Sequence, residues 1–216
     1  MAHKTLVGGT QYNVTGGKSM IDGSVYDIKS GKTLVGGTGY DIKFTEDVYA
    51  MLYSDGDFVF QRGNDVEDGK TLSKSWTDSF EDIEYPTSNK VPWYSYAKNI
   101  KNVDFLYEFS PHSIGGWFYN AANLISIDFT NFNINRLTQM WSTFYKCSNL
   151  VGSPICSNNV VKMSHTYYNC YKLTGSPVCG ENTVNMTYAY ANCYNITGSP
   201  VCGDKVQNMC NTYYNC

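Results

Sequence analysis

The sequence predicts a mainly β protein of three parts: an N-terminal arm of β-hairpins, a small β cap, and a C-terminal solenoid of about five turns of 23–26 residues. Three observations lead to this prediction. A 14-residue repeat begins at Lys4, Lys18 and Lys32, cysteines recur every 23 residues in the second half, and an apolar segment between them turns at Asp55-Gly56. The predicted domains are, in order, residues 1–44, 45–92 and 93–216.

The three short repeats carry the pattern of a β-hairpin. They read KTLVGGTQYNVTGG, KSMIDGSVYDIKSG and KTLVGGTGYDIKF, with alternating apolar residues on both sides of Gly-Gly or Asp-Gly. Glycine supplies the positive φ that a two-residue hairpin turn needs. A lone hairpin is only marginally stable in water. We therefore expect residues 1–44 to be an arm that docks onto other proteins or onto a second copy.

Residues 45–92 are predicted to cap the repeats that follow them. The stretch VYAMLYSDGDFVF, residues 48–60, reads as a hairpin with its turn at Asp55-Gly56. A repeat array needs such a cap, because its terminal turn otherwise exposes the hydrophobic core.

Whole columns of residues recur with the 23-residue cysteine period. An aromatic ring stands three residues before each cysteine position, a branched aliphatic three residues after it, and a methionine seven residues before most of them. Columns of constant size and polarity indicate turns that stack and bury the same positions. The cysteine column is Cys147, Cys170, Cys193 and Cys216, and the aromatic column is Tyr94, Phe118, Phe144, Tyr167, Tyr190 and Tyr213.

These units, of the form C-x2-L-x4-[IV]-C-x6-7-M-x3-[YF]-x-N-C, resemble the BspA-like, Treponema-type leucine-rich repeat. The resemblance implies a leucine-rich-repeat solenoid over residues 93–216, in which a short strand is followed by a loop and a tight turn. One departure is Gly-Ser-Pro at the strand position, for example at residues 152–154. Proline cannot donate a ladder hydrogen bond, so we expect short strands there.

The 14-residue repeats resemble short N-terminal repeats in structural proteins of tailed bacteriophages. That resemblance implies a virion protein whose residues 1–44 contact other virion proteins.

Charge and hydropathy argue against two classes of partner. The net charge is −3 without a run of basic residues, whereas nucleic-acid binding needs clustered Lys and Arg. The start of the sequence has no apolar stretch suited to a signal peptide, and no window is apolar enough for a membrane helix. We expect no nucleic acid, no membrane insertion, and synthesis in a host cytoplasm.

The eight cysteines allow free thiols, disulfides or a metal site. Stacked turns point their side chains in parallel, which favours free, buried thiols that act as small hydrophobes. Disulfides stay open as the alternative, and the absence of a C-x2-C spacing disfavours zinc. No metal or cofactor is predicted.

Nothing in the sequence demands an enzyme. Nucleophilic catalysis needs a nucleophile beside a base and an orienting group, and the chain has only His3, His112 and His165. His165 occupies a variable repeat position, so we interpret it as a surface residue. No catalytic residue is predicted.

Tyrosines next to the buried columns form the candidate recognition surface. Exposed Tyr beside Asn and Ser is typical of adaptable binding surfaces, while the alternative is that the rings only cover the flank of the array. The candidate residues are Tyr145, Tyr168, Tyr171, Tyr194 and Tyr214.

Together these features favour a non-enzymatic structural or adhesion protein of a tailed bacteriophage virion, expected to form a homo-oligomer. Residues 1–44 would anchor it, and the repeats would bind a host cell-surface glycan or protein, or decorate the particle. The alternative is a bacterial cell-surface BspA-like adhesin that lacks its export signal in this chain.

Overall fold

The structure, a computed structural model, describes residues 47–198 and 202–216 and, before them, six backbone strands between residues 3 and 42. The chain divides into two compact units, Met1–Asp47 and Val48–Cys216. Each unit is described by itself. None of the helical segments in the described part of the chain is long and apolar enough to cross a membrane.

The first unit contains three separate two-stranded antiparallel sheets. Each 14-residue repeat supplies one hairpin, in agreement with its alternating pattern; the Gly-Gly and Asp-Gly turns themselves lie outside the described residues. The pairs are β1 (His3–Val7) with β2 (Thr10–Val14), β3 (Lys18–Ile21) with β4 (Ser24–Asp27), and β5 (Gly31–Val35) with β6 (Thr38–Ile42).

The second unit is organised around one mixed five-stranded sheet with the order β11-β10-β8-β7-β9. β7 is antiparallel to β8 and to β9, whereas β10 is parallel to both β8 and β11. The predicted hairpin at Asp55-Gly56 is confirmed, because it joins β7 to β8. The strands are β7 (Val48–Tyr53), β8 (Asp57–Arg62), β9 (Leu72–Thr77), β10 (Asn102–Phe105) and β11 (Ser126–Ile127).

Short 3-10 helices cover parts of the connections in this unit. They are Ser88–Lys90, Tyr94–Asn99 and Ile134–Arg136.

An aromatic cluster forms the centre of the core beneath this sheet. The fully buried Phe60 ring stacks on Trp117 at 5.3 Å and on Phe105 at 5.0 Å between ring centroids, and it meets Trp93 edge-on at 5.5 Å. The Trp93 Nε1–H donates to the carbonyl oxygen of Trp117 at 2.6 Å, so the polar atom of this buried indole is satisfied. These contacts pack strand β8, which carries Phe60, against residues that follow residue 90 in the chain.

The predicted leucine-rich-repeat solenoid is wrong. The described part of residues 93–216 contributes only two strands, β10 and the two-residue β11, and both extend the mixed sheet of β7, β8 and β9. The later repeats are joined by single-residue parallel bridges, such as Gln139 to Lys162 and Lys162 to Asn185, rather than by strands. The physical reason is that much of the backbone of each repeat unit forms a tight turn, and Gly-Ser-Pro occupies the position where a strand would otherwise form. The mainly β character of the prediction is consistent with the structure.

Instead, the repeats form a set of turns that stack on one another. In each of the first four turns, three N–H groups donate to carbonyl oxygens of the next turn; for example, Tyr167 N donates to Ala189 O at 2.7 Å and Asn169 N to Ala191 O at 2.9 Å. We call these segments the stacked turns: residues 115–120, 141–146, 164–169, 187–192 and 210–215.

Two positions in every stacked turn have left-handed backbone. The second position has φ between 51° and 71°, and the sixth has φ between 55° and 63°. Asparagine tolerates this conformation better than most residues, which explains why it recurs at the sixth position. Asn192 has a further role there, since its Nδ2 donates to Asn169 Oδ1 at 2.6 Å and its Oδ1 accepts from Asn215 Nδ2 at 3.1 Å.

Substitutions of Asn192 should separate backbone strain from side-chain bonding. Both Asn192→Gly and Asn192→Ala remove the amide ladder, but only alanine must place a Cβ in the left-handed region at φ 63°. We expect the alanine variant to lose about 1 kcal/mol more unfolding free energy than the glycine variant. Urea denaturation of both variants measures the difference, and equal losses would contradict the assigned strain.

Candidate recognition surface

The four central members of the predicted aromatic column, from Phe118 to Tyr190, lie in the interior of the stacked turns, whereas Tyr94 is exposed and Tyr213 is half-buried. Ring centroids of successive members from Phe118 to Tyr213 are 5.1–5.8 Å apart and their planes are within 16° of parallel. Phe144, Tyr167 and Tyr190 are 2% exposed or less. A residue placed inward in one turn is therefore inward in the turns that follow, except in the last one, where Met209 is exposed and Tyr213 is half-buried.

The hydroxyl groups of the buried tyrosines are bonded to backbone. Tyr167 Oη accepts from the N–H of Ile155 at 2.9 Å and donates to its carbonyl oxygen at 3.1 Å. Tyr190 makes the same pair of bonds to Val178, at 3.0 and 2.7 Å. Burial raises the pKa of both phenols well above the usual value. These bonds fix the segment after each Gly-Ser-Pro against its own turn.

A second row of tyrosines, one residue further along, is half-buried. Tyr119 and Tyr145 stack at 4.5 Å with planes 4° apart, and Tyr145 and Tyr168 stack at 4.9 Å with planes 8° apart. Each ring covers the face of the next, so both faces of Tyr145 are occupied. The ring edges and hydroxyl groups are therefore the parts of this row that face solvent.

Tyr171 and Tyr194 form an exposed stacked pair beside this row. Their centroids are 5.4 Å apart with planes 8° from parallel, and the residues are 37% and 57% exposed. Partial burial, followed by the neighbouring phenols of Tyr194 and Tyr168, raises the pKa of Tyr171. Tyr171 follows Tyr168, a member of the half-buried row, by three residues. We call the combined patch the tyrosine surface: Tyr119, Tyr145, Tyr168, Tyr171 and Tyr194.

The structure brings four of the five sequence-predicted residues into this patch. The fifth, Tyr214, is 56% exposed, but Ala191 takes the equivalent position one turn earlier, so the row of stacked rings is interrupted before it. The prediction missed Tyr119, whose position immediately after the buried aromatic column was the available signal. It also missed Tyr188, which stacks on His165 at 5.2 Å.

The cysteines are free, as the parallel stacking of side chains predicts. The Sγ of Cys170 donates to Phe144 O at 3.0 Å, and that of Cys193 to Tyr167 O at 3.0 Å. Burial raises the pKa of the Cys193 thiol to about 12, which keeps it protonated and able to donate at neutral pH. The buried thiols are Cys147, Cys170 and Cys193; Cys156, Cys179 and Cys202 are half-buried, and Cys210 and Cys216 are exposed.

Within residues 47–198 and 202–216, no group of three or more His, Cys, Asp and Glu side chains is placed to hold a metal ion. The best-defined arrangement of exposed functional groups that the predicted residues form is the tyrosine surface.

Comparison of the chain with protein-family models, with curated proteins and with solved structures found no match.

Alanine substitutions at two adjacent tyrosines should differ strongly in cost. Tyr167→Ala removes a fully buried ring and two hydrogen bonds and leaves a cavity between stacked turns, so we expect a loss of about 3–5 kcal/mol. Tyr168→Ala removes a half-buried ring that stacks on Tyr145, which should cost about 1 kcal/mol. Chemical denaturation of both variants gives the comparison, and similar losses would show that the inward and outward positions are wrongly assigned.

Proposed function

We propose that this chain is a non-enzymatic recognition protein that binds its target, a cell-surface protein or glycan, through the tyrosine surface. The observation that carries the proposal is the Tyr171–Tyr194 pair, two exposed rings held parallel at 5.4 Å.

The pair has the physical properties of an interaction hot spot. Tyrosine supplies a large amphipathic contact area and loses little side-chain entropy on binding. Here the loss is smaller still, because the stacking already restricts both rings. Burying such rings under a partner removes apolar surface from water, while each hydroxyl can bond to the partner.

Among the described residues no ring covers the outer faces of this pair. Ser148 occupies the position one turn before Tyr171, so among the described residues no ring stacks on the Tyr171 face opposite Tyr194. A planar or apolar group of the target can stack there, as a third member of the pair.

The proposal extends to the setting in which the protein acts. The resemblance of the 14-residue repeats to those of tailed-phage structural proteins supports a virion component with its N-terminal unit as the anchor. The division of the chain into two compact units supports separate anchoring and recognition parts. The anchor contacts other virion proteins, and the protein is expected to act as a homo-oligomer.

Removing the ring pair should abolish target binding without unfolding the protein. We expect Tyr171→Ala/Tyr194→Ala to reduce binding of the fluorescently labelled protein to a panel of bacterial cells and to a glycan array by about tenfold or more. Its thermal midpoint should stay within a few degrees of the wild-type value, because both rings are exposed.

Tyr214→Ala is the matched control, since Tyr214 is as exposed as Tyr194 but lies outside the stacked pairs. It should bind like the wild type. Unchanged binding by the folded double variant would remove the tyrosine surface as the recognition site.

Deleting residues 1–47 tests the anchoring role separately. The remaining unit, Val48–Cys216, is compact by itself, so it should melt cooperatively at a temperature close to that of the full chain. We expect it to be missing from purified phage particles when they are probed by immunoblot. Incorporation at the wild-type level would contradict the assignment of an N-terminal anchor.

A further inference from the structure

A polar cleft lies beside the turn between β7 and β8, in a part of the second unit that the tyrosine surface does not use. Its volume is about 520 Å³, within the range of small-molecule sites. The side chains that carry its chemistry are Ser73, Tyr96, Lys98, Asn99, Lys101 and Asn123.

The charge of this cleft is positive. Two lysines line it and no Asp or Glu side chain does. Among the described residues neither lysine pairs with a carboxylate: Asp55, the acidic residue next to the turn, lies 3.6 Å from Lys70 instead. An anion in the cleft would therefore meet two cationic groups without displacing an existing ion pair.

The Lys101 ammonium is held in place before any ligand arrives. Its Nζ donates to Asp55 O at 2.7 Å, which leaves two of its three N–H donors. Gly56, at φ 101°, allows the lysine stem to cross the turn, since a Cβ there would lie 2.7 Å from Lys101 Cγ. A prepositioned cation binds an anion at a lower entropic cost than a free one.

The remaining lining groups suit a sugar ring. Tyr96 is 37% exposed and rests edge-on against Trp76 at 5.5 Å, which orients its ring. Asn123 donates through Nδ2 to Lys98 O at 2.7 Å, so its Oδ1 can accept from a hydroxyl. Amides and hydroxyls that hydrogen-bond, an oriented aromatic ring and two ammonium groups together match a polyhydroxylated ring with an acidic substituent.

We propose that this cleft binds a sugar unit that bears a negative charge, either a carboxylate, as in a uronic acid, or a phosphate. The site is separate from the tyrosine surface and does not depend on its function.

Titration of four small probes, followed by NMR chemical shifts of the full chain, tests the proposal. Glucuronic acid carries the carboxylate, glucose 6-phosphate the phosphate, glucose neither, and inorganic phosphate the charge alone. We expect one or both charged sugars to bind with a dissociation constant on the order of 1 mM, and glucose and inorganic phosphate to bind about tenfold more weakly. The stronger of the two charged sugars identifies the acidic group.

Two outcomes would overturn the proposal. Equal binding of glucose and the charged sugars would remove the role of the lysines, and equal binding of inorganic phosphate and glucose 6-phosphate would reduce the cleft to a non-specific anion site. Failure of every probe to shift residues of the cleft at 20 mM, a concentration roughly twentyfold above the expected constant, would also overturn it.

Lysine variants give the second arm of the test. Lys98→Gln and the double variant Lys98→Gln/Lys101→Gln should weaken binding of the charged sugar, the double variant by about tenfold or more. Lys98 is exposed and its head group has no partner among the described residues, so the single variant keeps the test valid if the double variant is unstable. Substitution of Lys162, an exposed lysine that precedes the turn of residues 164–169, gives the control: Lys162→Gln should bind like the wild type, as should Tyr171→Ala/Tyr194→Ala. Unchanged binding by the folded Lys98→Gln variant would exclude this cleft.

Discussion

The part of the chain from residue 114 onward depends on backbone hydrogen bonds between successive units. Within the stacked turns the N–H groups of one turn donate to the carbonyls of the next, whereas the segments between the turns donate back to the preceding unit, as Val161 N does to Thr138 O at 2.8 Å. This bonding sets the distance between equivalent residues close to the 4.8 Å strand spacing. Aromatic rings stack at nearly the same distance, so the observed centroid separations of 4.5–5.8 Å follow from the backbone. One choice of rotamer then satisfies every turn, in the buried row and in the exposed rows alike.

The same ladder explains why cysteine follows the last four of the five stacked turns. Phe144 O is deep in the structure and accepts both from Cys147 N at 3.0 Å and from Cys170 Sγ at 3.0 Å, so both of its lone pairs are used. Alanine would fill the volume but would leave one lone pair empty, and serine would bring a more polar group into an apolar interior. A thiol kept protonated by burial is small, apolar and still a donor.

The sequence repeats predicted which residues of a turn are inside and which are outside, because each turn samples the same environment at the same position. Tyr167 and Tyr168 are the clearest case, one buried and one half-buried. The repeats did not predict the fold between the turns: left-handed residues such as Lys146 and His165 and the Gly-Ser-Pro segments close the chain on itself instead of extending it into strands. The polar cleft beside the turn between β7 and β8 could not be predicted from the sequence either, because residues as distant as Ser54 and Asn123 line it and no periodicity connects them.

Stacking also limits what kind of target the tyrosine surface can take. A sugar or planar group that binds through a ring face needs a face that is free, and Tyr145 has none because Tyr119 and Tyr168 cover both sides. The half-buried row can therefore contact a partner only through ring edges and hydroxyls, which suits the backbone and polar side chains of a protein surface. Within the tyrosine surface, the exposed pair keeps ring faces free for face-on binding: Tyr171, where the neighbouring turn supplies a serine, and Tyr194, on whose outer face no ring of the described residues stacks. A target that uses the whole surface must combine a flat apolar group at the pair with an adjoining row of hydrogen-bonding groups, and a protein loop with an aromatic or proline side chain meets that requirement better than a uniform glycan chain does.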